Sequence, residues 1–234
     1  EQSFGAGTIV TLTRNQLQLR TGYILIGDLN KAPVYVALGK MDGPFGQVGS
    51  VSPFSNSSMW HAFGTLGYGA QLGFKKGGLN ITAMAAQGGA QFRSLNTVVG
   101  DSTAVPSKLN NFIGDINYTI QFSGTVNLKA GASYLKGSAY NQDFPVTHFA
   151  AGRENNPAYS YYGKFNAGKR VTLMGAFAKT LKVWKGTHNP TPALSKYDAA
   201  KVSSLSVGAR YLFNPEGKTI YAMSGEFSNF KCGA

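Results

Sequence analysis

Apolar and polar residues alternate with a period of two along most of the chain, most cleanly between Leu109 and Tyr134. Phe112, Gly114, Ile116, Tyr118, Ile120 and Phe122 share one face, and Asp115, Asn117, Thr119 and Gln121 share the other. After Ser123-Gly124 the pattern resumes, with Val126, Leu128, Ala130, Ala132 and Tyr134 set against Asn127, Lys129, Gly131 and Ser133. Alternation on both sides of a two-residue turn signal predicts an antiparallel hairpin. Leu66 to Phe74 and Leu205 to Phe213 repeat the pattern. Followed along the chain, it predicts eleven strands, at about 7–13, 16–26, 33–40, 62–75, 79–87, 109–122, 125–136, 158–167, 170–180, 203–213 and 218–230.

Most of these strands run 8 to 14 residues, longer than the usual ~5–6 and matched to the ~9–11 that cross a bilayer at a tilt. The connections divide into two kinds. Tight turns follow Ile26, Lys75, Phe122, Ala167 and Phe213, whereas polar stretches of about 20 residues fill 41–61, 88–108, 137–157 and 181–202. Short and long connections in strict alternation fit tight periplasmic turns and long extracellular loops, and a compact soluble domain seldom carries such loops. The expected fold is an all-β, antiparallel transmembrane β-barrel of about 12 strands, forming a single domain over 1–234. Parity then places the last strand climbing outward, and bacterial single-chain barrels have even strand counts. At least one closing strand is therefore expected beyond Ala234, and the two-residue join at Arg14-Asn15 is unexpectedly short for an outer loop.

Composition strengthens this expectation. Charged residues make up 14% of the chain, glycines number 30, and Tyr and Phe dominate the aromatics. The longest apolar run considered for a membrane helix, Val34 to Leu38, falls far short of the roughly 20 residues needed. A spanning chain of this kind must close as a barrel to satisfy its backbone in lipid. Cys232 is the only cysteine, which excludes an internal disulfide and a cysteine metal cluster. No leader is recognisable at Glu1, as expected of a processed chain. The net charge of +12 comes without any basic block of five residues, which argues against nucleic acid and for an anionic solute or lipopolysaccharide phosphates. The localisation expected is the bacterial outer membrane.

The polar strand faces define the candidate lumen: Arg20, Gln71, Asp115, Asn117, Lys129, Lys164, Arg210 and Glu226. Its cations outnumber its carboxylates, which favours anions; the alternative is that Arg and Lys pair with Asp115 and Glu226 and fill a narrow barrel. Pro44-Phe45-Gly46 is either part of an ordinary surface loop or a turn that folds a long loop inward, bringing Lys40, Asp42 and Phe45 to a constriction. Lys179, Lys182, Lys185, Lys196 and Lys201, against Asp198, form a solvated face or contact lipopolysaccharide phosphates. Trp60, Trp184, Tyr159, Tyr161 and Tyr162 are expected in aromatic girdles, and Met59, Met84 and Met174 in the wall. His61, His148 and His188 have no partner at metal-ligand spacing, and no local Ser–His arrangement suits a membrane hydrolase. Neither a cofactor nor an enzymatic activity is expected.

The segment from Gly27 to Gly46, GDLNKAPVYVALGKMDGPFG, resembles a hairpin of the LbtU-type siderophore porins, outer-membrane proteins of gammaproteobacteria. The shared pattern is G-x-L-(D/N)-K-x-P-x-Y-x-x-x-G-K leading into P-F-G. The likeness extends in general form over residues 8–230, but only this hairpin is specific. It implies a barrel that takes up iron or an iron–siderophore complex, and it carries over no substrate residues. A closed barrel whose loops bind a partner or lipopolysaccharide is the alternative function.

Overall fold

The computed structural model describes residues 4–13, 16–46, 49–52, 57–87, 109–136, 157–183 and 201–231. Among these residues it is all-β apart from one short helix. The strands are β1 (Phe4–Thr13), β2 (Gln16–Ile26), β3 (Val34–Asp42), β4 (Leu66–Lys76), β5 (Leu79–Gln87) and β6 (Leu109–Gln121). They continue with β7 (Val126–Leu135), β8 (Ala158–Ala167), β9 (Val171–Thr180), β10 (Ser203–Leu212) and β11 (Ala222–Lys231). All eleven lie in one sheet in chain order, each antiparallel to its sequence neighbours. β1 and β2 pair out to Thr13 and Gln16, so their connection is as short as the sequence implies.

Two strand starts fall four residues later than expected. Residues 62–65 do not open β4, because helix α1 (Ser58–Phe63) takes up the first two of them and Gly64 caps its end. Ser57 caps it, its hydroxyl accepting from the Trp60 amide at 3.1 Å, which satisfies one of the donors a helix N-terminus leaves unpaired. β11 begins at Ala222 rather than near 218, since Asn214-Pro215-Glu216-Gly217 opens a longer turn in which the Gly217 amide donates to the Asn214 carbonyl.

The alternation read from the sequence sorts the sheet into two faces. Ile116, on one face of β6, is 50% exposed, while its neighbour Asn117 on the other is 5% exposed. The rule repeats elsewhere: Leu72, Ile81, Leu173 and Val207 are exposed, whereas Thr82, Ser133, Thr172 and Ser206 are buried. This distribution inverts that of a soluble sheet, where the apolar face is the covered one.

The polar face is covered because the sheet curls around it. Gly46 lies four residues beyond the end of β3, yet its amide donates to Ser133 Oγ on β7 at 2.9 Å. A Cβ at Gly46 would also come within 2.8 Å of Ser160 Oγ on β8. Four residues reach at most about 14 Å, whereas β3 and β8 would stand about 24 Å apart in a flat sheet of ~4.8 Å spacing. Further along the same connection, α1 packs against β9, β10 and β11. The polar face is therefore concave, and the β3–β4 connection runs across it.

Candidate functional site

Cross-strand register organises the concave face into rows. Nearest the long connections, Met84, Ile113, Leu135 and Ala158 stand side by side on β5 to β8. The next row holds Thr82, Asp115, Ser133, Ser160 and Ala178. Two rows closer to the short turns, Thr119, Lys129, Lys164 and Met174 are aligned, and Gln121, Asn127, Asn166, Thr172 and Arg210 follow. The face is thus apolar at one end and polar with excess cations at the other.

The crossing segment seals the apolar end. Phe45 and Phe63 stack at a tilt with centroids 5.8 Å apart. Together with Met59 they form one buried cluster with Met84, Ile113, Leu135, Ala178 and Val202. Phe45, Met59 and Phe63 each contribute about 1.5–3 kcal/mol on removal from water, so apolar packing holds this segment inward. Polar contacts fix its register: the Gly46 amide on Ser133, and Ser50 Oγ donating to Glu226 on β11.

Asp115 is the polar hub. Its carboxylate accepts from Ser133 Oγ at 2.6 Å, Asn117 Nδ2 at 2.7 Å, and the Tyr162 hydroxyl at 2.9 and 3.0 Å. Tyr162 reaches it from β8 by lying across Gly131 on the intervening strand, where a Cβ would collide with the ring. Lys129 Nζ sits 5.7 Å from the centroid of the same ring, within cation–π range. The Gly46 amide, Ser133 and Asp115 therefore form one chain from the crossing segment into the wall.

Of the residues expected to line a lumen, Asp115, Asn117, Lys129, Lys164, Arg210 and Glu226 share the concave face by register. Arg20 occupies the extra position where the β1–β2 register shifts, its neighbours Thr21 and Leu19 pairing with Ile9 and Val10. The inner carboxylates do not pair with cations among the described residues, where the ion pairs Lys31–Asp28 and Lys169–Glu216 lie at turns. Lys129 and Lys164 face each other directly, and Arg210 Nε is buried without a hydrogen-bond partner.

The expected constriction residues separate. Phe45 is buried inside, whereas Lys40 and Asp42 share the strand parity of the exposed Val36 and Leu38. Lys40 is nevertheless buried and stands 5.9 Å from the Tyr68 ring centroid. Tyr159 and Tyr161 lie on the convex face, but Tyr162 turns inward, and its alternation with Tyr161 was the available signal. Met84 and Met174 also belong to the concave face. His148, His188, Trp184, Lys185, Lys196, Asp198 and Cys232 lie outside the described residues. Among the described residues no group of His, Cys, Asp and Glu is placed to hold a metal ion.

No protein-family model matches the chain, and no curated protein matches its sequence.

Proposed function

We propose that the chain is an outer-membrane β-barrel acting as a channel for small anionic solutes, constricted from the long-loop side by residues 43–65. The observation that carries this reading is the inverted amphipathicity: large apolar side chains cover the convex face while Asp115, Asn117, Thr82 and Ser133 are enclosed. An apolar belt of that extent is costly in water and suited to lipid. In lipid the outer edges of β1 and β11 need partners, supplied by each other or by a further strand. Lys129, Lys164 and Arg210 supply the anion preference from the turn side. Iron or an iron–siderophore chelate as cargo rests on the resemblance of residues 27–46.

The test is conductance in a planar bilayer under a salt gradient. Anion-leaning reversal potentials are expected from the purified chain, and K129E/R210E shifts them toward cations. Absence of conductance, together with unchanged iron-chelate uptake in cells lacking the protein, overturns the channel. A closed barrel is the second reading, favoured by the apolar packing of Phe45, Met59 and Phe63. F45A/F63A separates the two: in a constricted channel it raises conductance, and in a closed barrel the current stays at zero.

A further inference from the structure

We propose that the convex face of β9, β10 and β11 carries a binding site for the phosphates of a membrane glycolipid, at the level where the acyl region meets the headgroups. Register places Lys179, Ser203 and Lys231 in one row across the three strands. Lys201, two residues before β10, joins them in lining an open groove of about 470 Å³. No carboxylate lines that groove. Two lysines on strands flanking β10 start about 10 Å apart, and their flexible four-carbon stems converge readily on one anion.

The surroundings choose the ligand. One row toward the short turns, Phe177 and Leu205 form the apolar side of the same groove, and Val207 and Phe227 continue the exposed belt below them. Beside Lys179 in the cationic row stands Tyr159, in ring contact with Tyr161 at 5.6 Å and Phe177 at 6.3 Å. Aromatic clusters of this kind mark the membrane–water interface. A free phosphate uses only the lysines and Ser203. A glycolipid uses both levels, its phosphate on the ammonium groups and its chains along Phe177, Leu205 and Phe227. The site lies opposite the anion-selective inner face and shares no residue with it.

This proposal rests on the membrane-spanning reading, and the experiment keeps the two apart. The full chain in detergent is incubated with bisphosphorylated hexa-acyl lipid A, with its dephosphorylated form, and with inorganic phosphate, and retention is read by native mass spectrometry. Phosphorylated lipid A is expected to be retained, with roughly 30-fold weaker retention in K179Q/K231Q, at about fivefold for each lysine near the surface. K76Q/K218Q, at the short turns, retains it as the parent does. Equal retention of the dephosphorylated lipid, or inorganic phosphate binding as tightly as lipid A, overturns the glycolipid assignment. Each protein is also floated with phosphatidylethanolamine–phosphatidylglycerol vesicles. Failure to float overturns the spanning reading and this site with it, whereas intact flotation with unchanged lipid A retention in K179Q/K231Q overturns the site alone.

Discussion

Single residues show how a buried carboxylate is kept without a cation among the described residues. Asp115 accepts hydrogen bonds from Ser133, Asn117 and Tyr162, and bonds to a charged acceptor contribute about 1.5–3 kcal/mol each. Removing the shared acceptor in D115A strands several enclosed donors, so a loss on the order of 3 kcal/mol is expected. D115N, which keeps one acceptor oxygen, should fall between D115A and the parent. Urea unfolding in detergent checks this as a lower midpoint at unchanged slope; equal midpoints for all three proteins would refute the hub. Glycine provides a second test at this scale. At Gly73 a Cβ collides with the ring of Tyr35 from the neighbouring strand, whereas at Gly225 it meets nothing within 4 Å. G73A is therefore expected to cost about 1–3 kcal/mol through overpacking, and G225A much less, by the same measurement.

At the scale of elements, the crossing segment and the short turns are held by different forces. Phe45 and Phe63 anchor the segment in an apolar cluster, so F63A should cost about 3–5 kcal/mol through loss of burial and the cavity left behind. A double-mutant cycle with F45A should return a coupling of about 0.5–1.5 kcal/mol for the aromatic pair; strict additivity would deny the contact. The turns after β8 and β10 are joined instead by Lys169 Nζ and Glu216 Oε1 at 2.9 Å in open solvent. The hydrogen bond from Lys169, and then its charge, hold the Glu216 carboxyl below its ordinary range. A lowered carboxyl stabilises the fold above its ordinary pKa and loses that contribution as pH falls through the lowered value. E216Q should therefore flatten the acid-side decline in melting temperature slightly, and added salt should shrink the difference between the two proteins.

The strands themselves were legible because period-two alternation is local: Asp115, Asn117 and Lys129 declare their shared face within two adjacent strands. What alternation does not encode is distance across the sheet. Tyr162 lies 47 residues from Asp115, and grouping it with Tyr159 and Tyr161 as interfacial followed composition where parity pointed inward. The path of residues 43–65 was equally hidden, since Pro44-Phe45-Gly46 serves a surface loop as well as an inward turn. Only the curvature of the sheet from β3 to β8 brings Ser133 and Ser160 within reach of Gly46.

For the whole molecule, the decisive question is which solvent the convex face meets, and one substitution answers it with opposite outcomes. Ile116 is half exposed near the middle of β6, on the convex face that also carries the exposed Leu72 and Leu173. If that face meets water, replacing an exposed isoleucine with arginine changes stability by no more than about 0.5 kcal/mol. If it meets hydrocarbon, the same arginine loses its hydration at the bilayer midplane, at a cost of about 2–4 kcal/mol that falls toward about 0–1 at the interfaces. I116R should therefore be strongly destabilised in bilayers, as should V207R on β10. An arginine in place of Tyr159, level with Lys179, should be tolerated far better, because there the side chain reaches the headgroups. Reversible unfolding in phospholipid vesicles measures all three. A depth-graded series is what a spanning sheet requires, and three costs near zero would return the convex face to water.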